Sequence, residues 1–403
     1  MLIQPRQHEL ELTYCTNVHP GETVEEIHRY LREITIPLKG RVCPDRRMGV
    51  GMWLSNRAAR ELDEVPGALQ ALRQTLEDAR LYVFTVNAFP YGDFHQTRVK
   101  EKVYKPSWVD EERALFSIRV ARVLAALSPS AEPSFSSLCG TFRDWEEPLD
   151  RNRMAAHIAA VAHALSLIRE QTGKTVRIAL EPEPMTSVET TEEAVAFFEG
   201  TVFRKARAFL ATRAGFSESQ AEEILRRHVG ICFDTCHLAV QYEDLAASLA
   251  RLRAAGIAVP KVQLSSALRL QDPADNEDGR RELARFDEER YLHQAVGRRK
   301  DGTKLRATDL PELFENSDWL EAESWRVHFH VPIFVTTLPS LQTTQGDLME
   351  ALESLVETGQ CRHLEIETYT WGVIPEEERS QECGDDLVTS LEREYRWVLE
   401  NAR

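Results

Sequence analysis

The chain has 403 residues, 42% of them hydrophobic and 28% charged, with a formal net charge of −16 at pH 7. That length allows one large domain or two ordinary ones, and the composition supplies ample core for a globular protein. The acidic balance excludes general affinity for nucleic acid, which rewards a basic surface; a small anionic substrate held by a few local cations stays open. Seven cysteines, an odd number without a CxxC pair, indicate reduced thiols. No apolar run reaches the ~18 residues of a membrane span. The N-terminal MLIQPRQHELELTY lacks a signal-peptide core. The expected location is the cytoplasm.

In chain order, strand-like runs fall at Leu10–Thr16, Arg47–Leu54, Leu81–Phe89, Ser134–Gly140, Thr175–Glu181, Val229–Asp234, Val259–Ser265, Val327–Phe334 and His363–Thr368. Helical patterns lie between them, among them Arg57–Asp78, Trp108–Leu127, Arg151–Gln171, Thr191–Phe198, Lys205–His228, Tyr242–Ala255, Thr344–Thr358 and Asp385–Asn401. This alternation predicts βαβ units and a parallel sheet. Eight such units close into an α/β TIM (β/α)8 barrel. Nine candidates are one too many, and Val327–Phe334 is read as accessory because it follows the long polar segment Arg269–Arg326. That segment carries Arg280, Arg281, Arg298, Arg299, Lys300, Lys304 and Arg306. It reads as an inserted lid before the last βα units or as a solvated insertion. The expectation is one barrel domain over 1–403, with 269–326 inserted.

Three of the strand candidates end in clustered metal-capable side chains: Ile178-Ala-Leu-Glu-Pro-Glu-Pro184, Val229-Gly-Ile-Cys-Phe-Asp-Thr-Cys-His237 and His363-Leu-Glu-Ile-Glu-Thr368. In a parallel barrel the C-terminal strand ends converge on one site. Glu181 and Glu183 flank a proline at a rigid strand exit, suited to one metal contact and one substrate hydroxyl. Asp234 after an apolar strand is costly unless paired or metal-bound, although a helix cap serves it too. His237 follows three positions on. Glu365 and Glu367 share a face at different levels, and Glu367 is nearer the mouth. The alternative for each carboxylate is a solvated or ion-paired strand end.

Gln263, in Lys-Val-Gln-Leu-Ser-Ser, adds a strand-borne polar group. His328 and His330 point to one side of an extended segment by their period of two. Mixed carboxylate and imidazole ligands suit a divalent metal, Mn²⁺, Mg²⁺, Fe²⁺, Co²⁺ or Zn²⁺. Asn17 and His19 follow the first strand, and Asn87 ends the third. The loop Phe89-Pro-Tyr-Gly-Asp-Phe-His95, with Lys100, Lys102 and Lys105 beyond it, could line a sugar-sized pocket, and for any single residue a packed loop is the reading put ahead. There is no Walker A loop, GxGxxG or GxSxG elbow. Cys236 reads as a packed thiol, since nothing marks an activating base for it.

Glu181, Asp234-x-x-His237, Gln263 and Glu367 resemble the xylose isomerase-like TIM barrels, whose epimerases hold a divalent metal with Glu, Asp, His and Glu from late strands. The resemblance implies Glu181, Asp234 and Glu367 as metal ligands, with Gln263 where a His is expected. His328 and His330 would replace or supplement it. It also implies His237 and, roughly, Arg269 as substrate contacts. Leu12-Thr-Tyr-Cys-Thr-Asn-Val-His-Pro-Gly-Glu22, Asn87-Ala-Phe-Pro-Tyr-Gly92, Cys232-Phe-Asp-Thr-Cys-His237, His328-Phe-His-Val-Pro332 and Glu365-Ile-Glu-Thr-Tyr-Thr-Trp371 resemble EboE-type metabolite-traffic proteins, a group tied to secondary-metabolite clusters.

The resulting expectation is a metal-dependent isomerase or epimerase of a small polyhydroxylated carbonyl compound. Glu181 and Glu367 would move the proton and His237 would steady the enediolate. Glu183, Arg269, Asn87 and His19 would contact substrate, and other proteins of the same cluster are candidate partners. A non-catalytic metabolite-binding barrel and metal-assisted hydrolysis are the alternatives.

Overall fold

The computed structural model describes residues 1–6, 8–92, 100–374 and 386–403. Asp93, Phe94 and His95 of the expected pocket loop, and Asp385 at the start of the last expected helix, lie outside these.

Eight strands form the expected parallel array: β2 (Leu10–Tyr14), β3 (Met48–Trp53), β4 (Leu81–Asn87), β5 (Ser134–Leu138), β6 (Arg177–Glu181), β7 (Val229–Asp234), β8 (Lys261–Leu264) and β14 (His363–Ile366). Each pairs in parallel with its neighbour from β3 through β8 to β14 and back to β2. A two-residue strand, β1 (Leu2–Ile3), adds antiparallel to β2. The seam between β2 and β3 is narrow: one Cys15–Gly51 bridge, with Gly51 N donating to Thr13 Oγ1 at 2.7 Å. Gly51 is required there, because a Cβ would sit 2.0 Å from Glu365 Oε1 and 2.8 Å from Tyr14 O. The chain is thus a nearly closed TIM barrel. Its strands are buried on both faces, between the barrel interior and the helices.

The expected helix over Arg57–Asp78 is two helices, Asn56–Glu64 and Ala68–Asp78. Pro66 stands between them, and Gly67 takes φ 84° as the second helix's N-cap, a left-handed conformation that glycine adopts without a Cβ clash. Lys205–His228 is likewise interrupted, at Gly215 (φ 74°), after which Ser217 and Gln220 form a capping box for Glu218–His228.

The segment read as poor in strands builds its own antiparallel sheet. Its strands are β9 (Ser266–Gln271), β10 (Ala295–Arg299), β11 (Lys304–Ala307), β12 (Ala322–Val331) and β13 (Gln342–Thr343), in the order β11-β10-β12-β9-β13. The run expected at Val327–Phe334 belongs to β12, outside the barrel, starting earlier and stopping before Pro332, which has no N–H for a ladder. Along β12 the period of two separates faces. Trp325, Val327, Phe329 and Val331 enter an apolar cluster with Leu268, Leu283 and Phe286. Ser324, Arg326, His328 and His330 occupy the alternate positions.

Several insertion cations hold this sheet to the barrel. Arg306 pairs with buried Glu189 at 3.2 Å, Lys304 donates to Gln241 O at 2.5 Å, and Arg326 donates to Ala239 O at 2.5 Å. Lys100 reaches Asp309 at 2.6 Å.

Candidate metal centre and its cavity

The strand ends meet as the parallel barrel requires. Glu181, Asp234 and Glu367 each offer a carboxylate oxygen within 4.8 Å of the others, and all three are buried. Asp234 caps the helix Thr235–Val240, with Oδ1 accepting from His237 N at 2.9 Å and from Ser265 Oγ at 2.8 Å. Its Oδ2, like Glu181 Oε2, is buried without a hydrogen-bond partner. Two unpartnered carboxylate oxygens in a buried acidic cluster are expensive unless a cation or a proton satisfies them. The donor set therefore fits a divalent metal.

Glu367 differs from its neighbours. Its Oε1 accepts from Asn17 Nδ2 at 2.7 Å and Asn87 Nδ2 at 3.0 Å, and its Oε2 accepts from Gln263 Nε2. Gln263 Oε1 in turn accepts the Cys232 thiol at 2.6 Å. Gln263 thus presents its amide nitrogen to Glu367. One level down the barrel, Glu365 meets buried Lys261 at 2.6 Å, and Lys261 also donates to Ser136 Oγ at 3.0 Å.

The three histidines meet beside this cluster. His237 Nε2 lies 3.1 Å from His328 Nε2, which lies 3.2 Å from His330 Nε2. Their Nδ1 atoms face oxygens: Pro182 O at 3.1 Å, Gln294 Oε1 at 2.7 Å and Glu367 O at 2.8 Å, respectively. Burial lowers the pKa of His237 to about 4, against a pull upward from Asp234. Burial, then the two other imidazoles, holds His328 well below its usual range.

Glu183 accepts from Tyr104 Oη at 3.0 Å, and Tyr104 Oη accepts from Gln294 Nε2 at 2.6 Å. Burial pushes the Glu183 pKa up to about 8. Glu181 is raised well above the carboxylate range, first by burial and then by Glu367, Asp234 and Glu183. Glu367 is also raised, by burial and by Asp234 and Glu365, with Lys261 and Asn17 pulling the other way.

Glu181, Glu183, Glu367 and the three histidines line a cavity walled by Phe89, Tyr104, Tyr291 and Tyr369. Asn87, Glu183, Asn17 and Lys100 line it. His19 and Arg269 do not. His19 stacks on Tyr30 at 4.8 Å and lines a separate small cavity, and Arg269 Nε donates to Gln271 on the inserted sheet. Sequence reasoning missed Tyr104, Tyr291, Gln294 and Tyr369. Tyr291 and Gln294 come from the insertion, where no strand-end pattern marked them. Cys236 is fully buried, and burial raises its pKa well above the thiol range, Asp234 adding to the effect.

No protein-family model matches the chain, and a search of curated proteins finds no match. Solved structures do resemble it. A xylose isomerase domain protein from Alicyclobacillus acidocaldarius subsp. acidocaldarius aligns at TM-score 0.49 and 14% identity, covering 97% of both chains. A xylose isomerase-like TIM-barrel protein from Mycobacterium smegmatis, in complex with magnesium, aligns at TM-score 0.49 and 11% identity over 98% of this chain and 96% of its own. The probable 3-DHS dehydratase AsbF of Bacillus anthracis aligns at TM-score 0.45 and 12% identity over 97% and 99%. The barrel itself is established by the strand order above. Among the described residues no helix is long and apolar enough to cross a membrane.

Proposed function

We propose that the chain is a divalent-metal-dependent isomerase or epimerase of a small polyhydroxylated carbonyl compound, a sugar or cyclitol. The observation that carries this reading is the buried Glu181–Asp234–Glu367 cluster, with its two unpartnered oxygens, beside the cavity. When bound, a divalent cation chelates a carbonyl and its neighbouring hydroxyl, acidifies the C–H between them and balances the charge that develops on oxygen.

Glu181 is the proton acceptor, one carboxylate oxygen going to the metal and the other to the substrate C–H. Glu183, protonated near neutral pH, supplies a proton for return. Glu367, expected from the sequence to share this work, already accepts three amide donors, which favours a fixed ligand over a proton carrier. His237 was expected to steady an enediolate. With Nδ1 facing Pro182 O, its Nε2 accepts rather than donates, so it serves as a fixed lone pair. The aromatic walls pack on the C–H faces of a sugar ring, and the inserted sheet excludes water. The EboE-like motifs support a place in secondary metabolism.

Manganese-loaded protein in deuterated water, with a panel of ketoses and inososes, tests this. Incorporation beside the carbonyl is expected, and it should vanish in Glu181→Gln. Tight binding of panel compounds without any incorporation would favour a metabolite-binding role instead.

A further inference from the structure

We propose that His237, His328 and His330 form a second metal site, adjoining the carboxylate cluster at Asp234 and selective for an ion of the zinc class. The inference stands on its own geometry and does not depend on the isomerase reading.

All three imidazoles are buried, at 4%, 3% and 0% exposure. Each Nδ1 faces an oxygen that can only accept: two backbone carbonyls, and Gln294 Oε1, whose orientation is set by Gln294 Nε2 donating to Tyr104 Oη. The ring protons therefore sit on Nδ1. The Nε2 lone pair of His328 then faces those of His237 and His330, at 3.1 Å and 3.2 Å. A shared proton could occupy only one of those two lines. A cation serves all three, and nitrogens bound tetrahedrally at ~2.0–2.1 Å lie about 3.3 Å apart. Anchoring of the distal ring nitrogen by a carbonyl is the support that metal-bound imidazoles take.

Asp234 extends the site. It offers ligand atoms within 4.8 Å of both His237 and His330, and equally of Glu181 and Glu367. Asp234 thus belongs to both groups, and its Oδ2 has no hydrogen-bond partner. Nitrogen-rich and oxygen-rich sites select different ions, Zn²⁺ at the first and Mg²⁺ or Mn²⁺ at the second.

The test uses the full chain, stripped with chelator and reloaded with Zn²⁺ alone. Zinc-edge X-ray absorption of the wild type should show imidazole scattering from several rings. His328→Ala should lose one equivalent of zinc and most of that signal, while Glu181→Gln keeps both. A wild-type spectrum dominated by oxygen ligands would overturn the proposal, whether or not His328→Ala folds. So would unchanged stoichiometry and spectrum in His328→Ala. Loss of manganese binding in Glu181→Gln alone bears on the carboxylate cluster and leaves this site standing.

Discussion

The side-chain amide of Gln263 donates to Oε2 of Glu367. The barrel places a neutral donor against the carboxylate at the position where the resemblance called for a histidine ligand. Gln263→Glu sets a second buried carboxylate against Glu367. It should destabilise the metal-free protein by ~2 kcal/mol or more, with part of that loss recovered in Mn²⁺. Urea denaturation with and without the ion checks both.

Gly51 fixes the barrel seam. Gly51→Ala drives a Cβ into Thr13, Tyr14 and Glu365, and Tyr14 O is backbone that cannot rotate away. A loss of ~2–3 kcal/mol is expected, read as a fall in the denaturant midpoint. Gly40→Ala, with nothing within 4 Å of its Cβ, is the control and should be neutral or slightly stabilising.

Phe329 anchors the inserted sheet. It is fully buried and packs edge-to-face on Phe286 at 5.0 Å. Phe329→Ala should cost ~3–5 kcal/mol. Because β12 also carries His328 and His330, zinc binding should weaken with it. Chemical denaturation and metal titration on one sample report the two effects.

Glu394 couples the last helix to the site. Its Oε1 accepts from Thr368 Oγ1 at 2.6 Å and from Ile333 N at 3.3 Å. Burial raises its pKa to about 7, against these donors. Between pH 4.5 and 7 the folded state holds a proton that the unfolded state releases. This contribution is therefore complete below about pH 4.5 and is lost as pH rises through 7, by at most about 3 kcal/mol. Glu394→Gln should flatten the stability profile across that window, as followed by denaturation at a series of pH values.

Much of the barrel was legible because a parallel strand buried on both faces reads as a short apolar run: eight of the nine runs are barrel strands, and the ninth, expected to be accessory, lies in the other sheet. The carboxylate cluster was legible for the same reason, since Glu181 and Asp234 interrupt those runs where the strands end. The inserted sheet was obscured by composition. In β10 and β11, Val296-Gly-Arg-Arg299 and Lys304-Leu-Arg-Ala307 put cations where an apolar alternation would announce a strand. Those cations meet partners such as Glu189 and Gln241, far away in sequence. The convergence of His237 with His328 and His330 was likewise hidden, because it depends on how the sheet folds back over the mouth. The role of His19 came from position after a strand and that of Arg269 from the resemblance, and neither specifies a side chain's direction.

The central claim is that Glu181, Asp234 and Glu367 hold a divalent cation, and manganese titration of chelator-stripped protein, followed by the resonance of free Mn²⁺, tests it most directly. Saturable binding to the wild type is expected, weakened at least about tenfold, or ~1.4 kcal/mol, in Asp234→Asn. Wild-type binding no tighter than that of Asp234→Asn would contradict it.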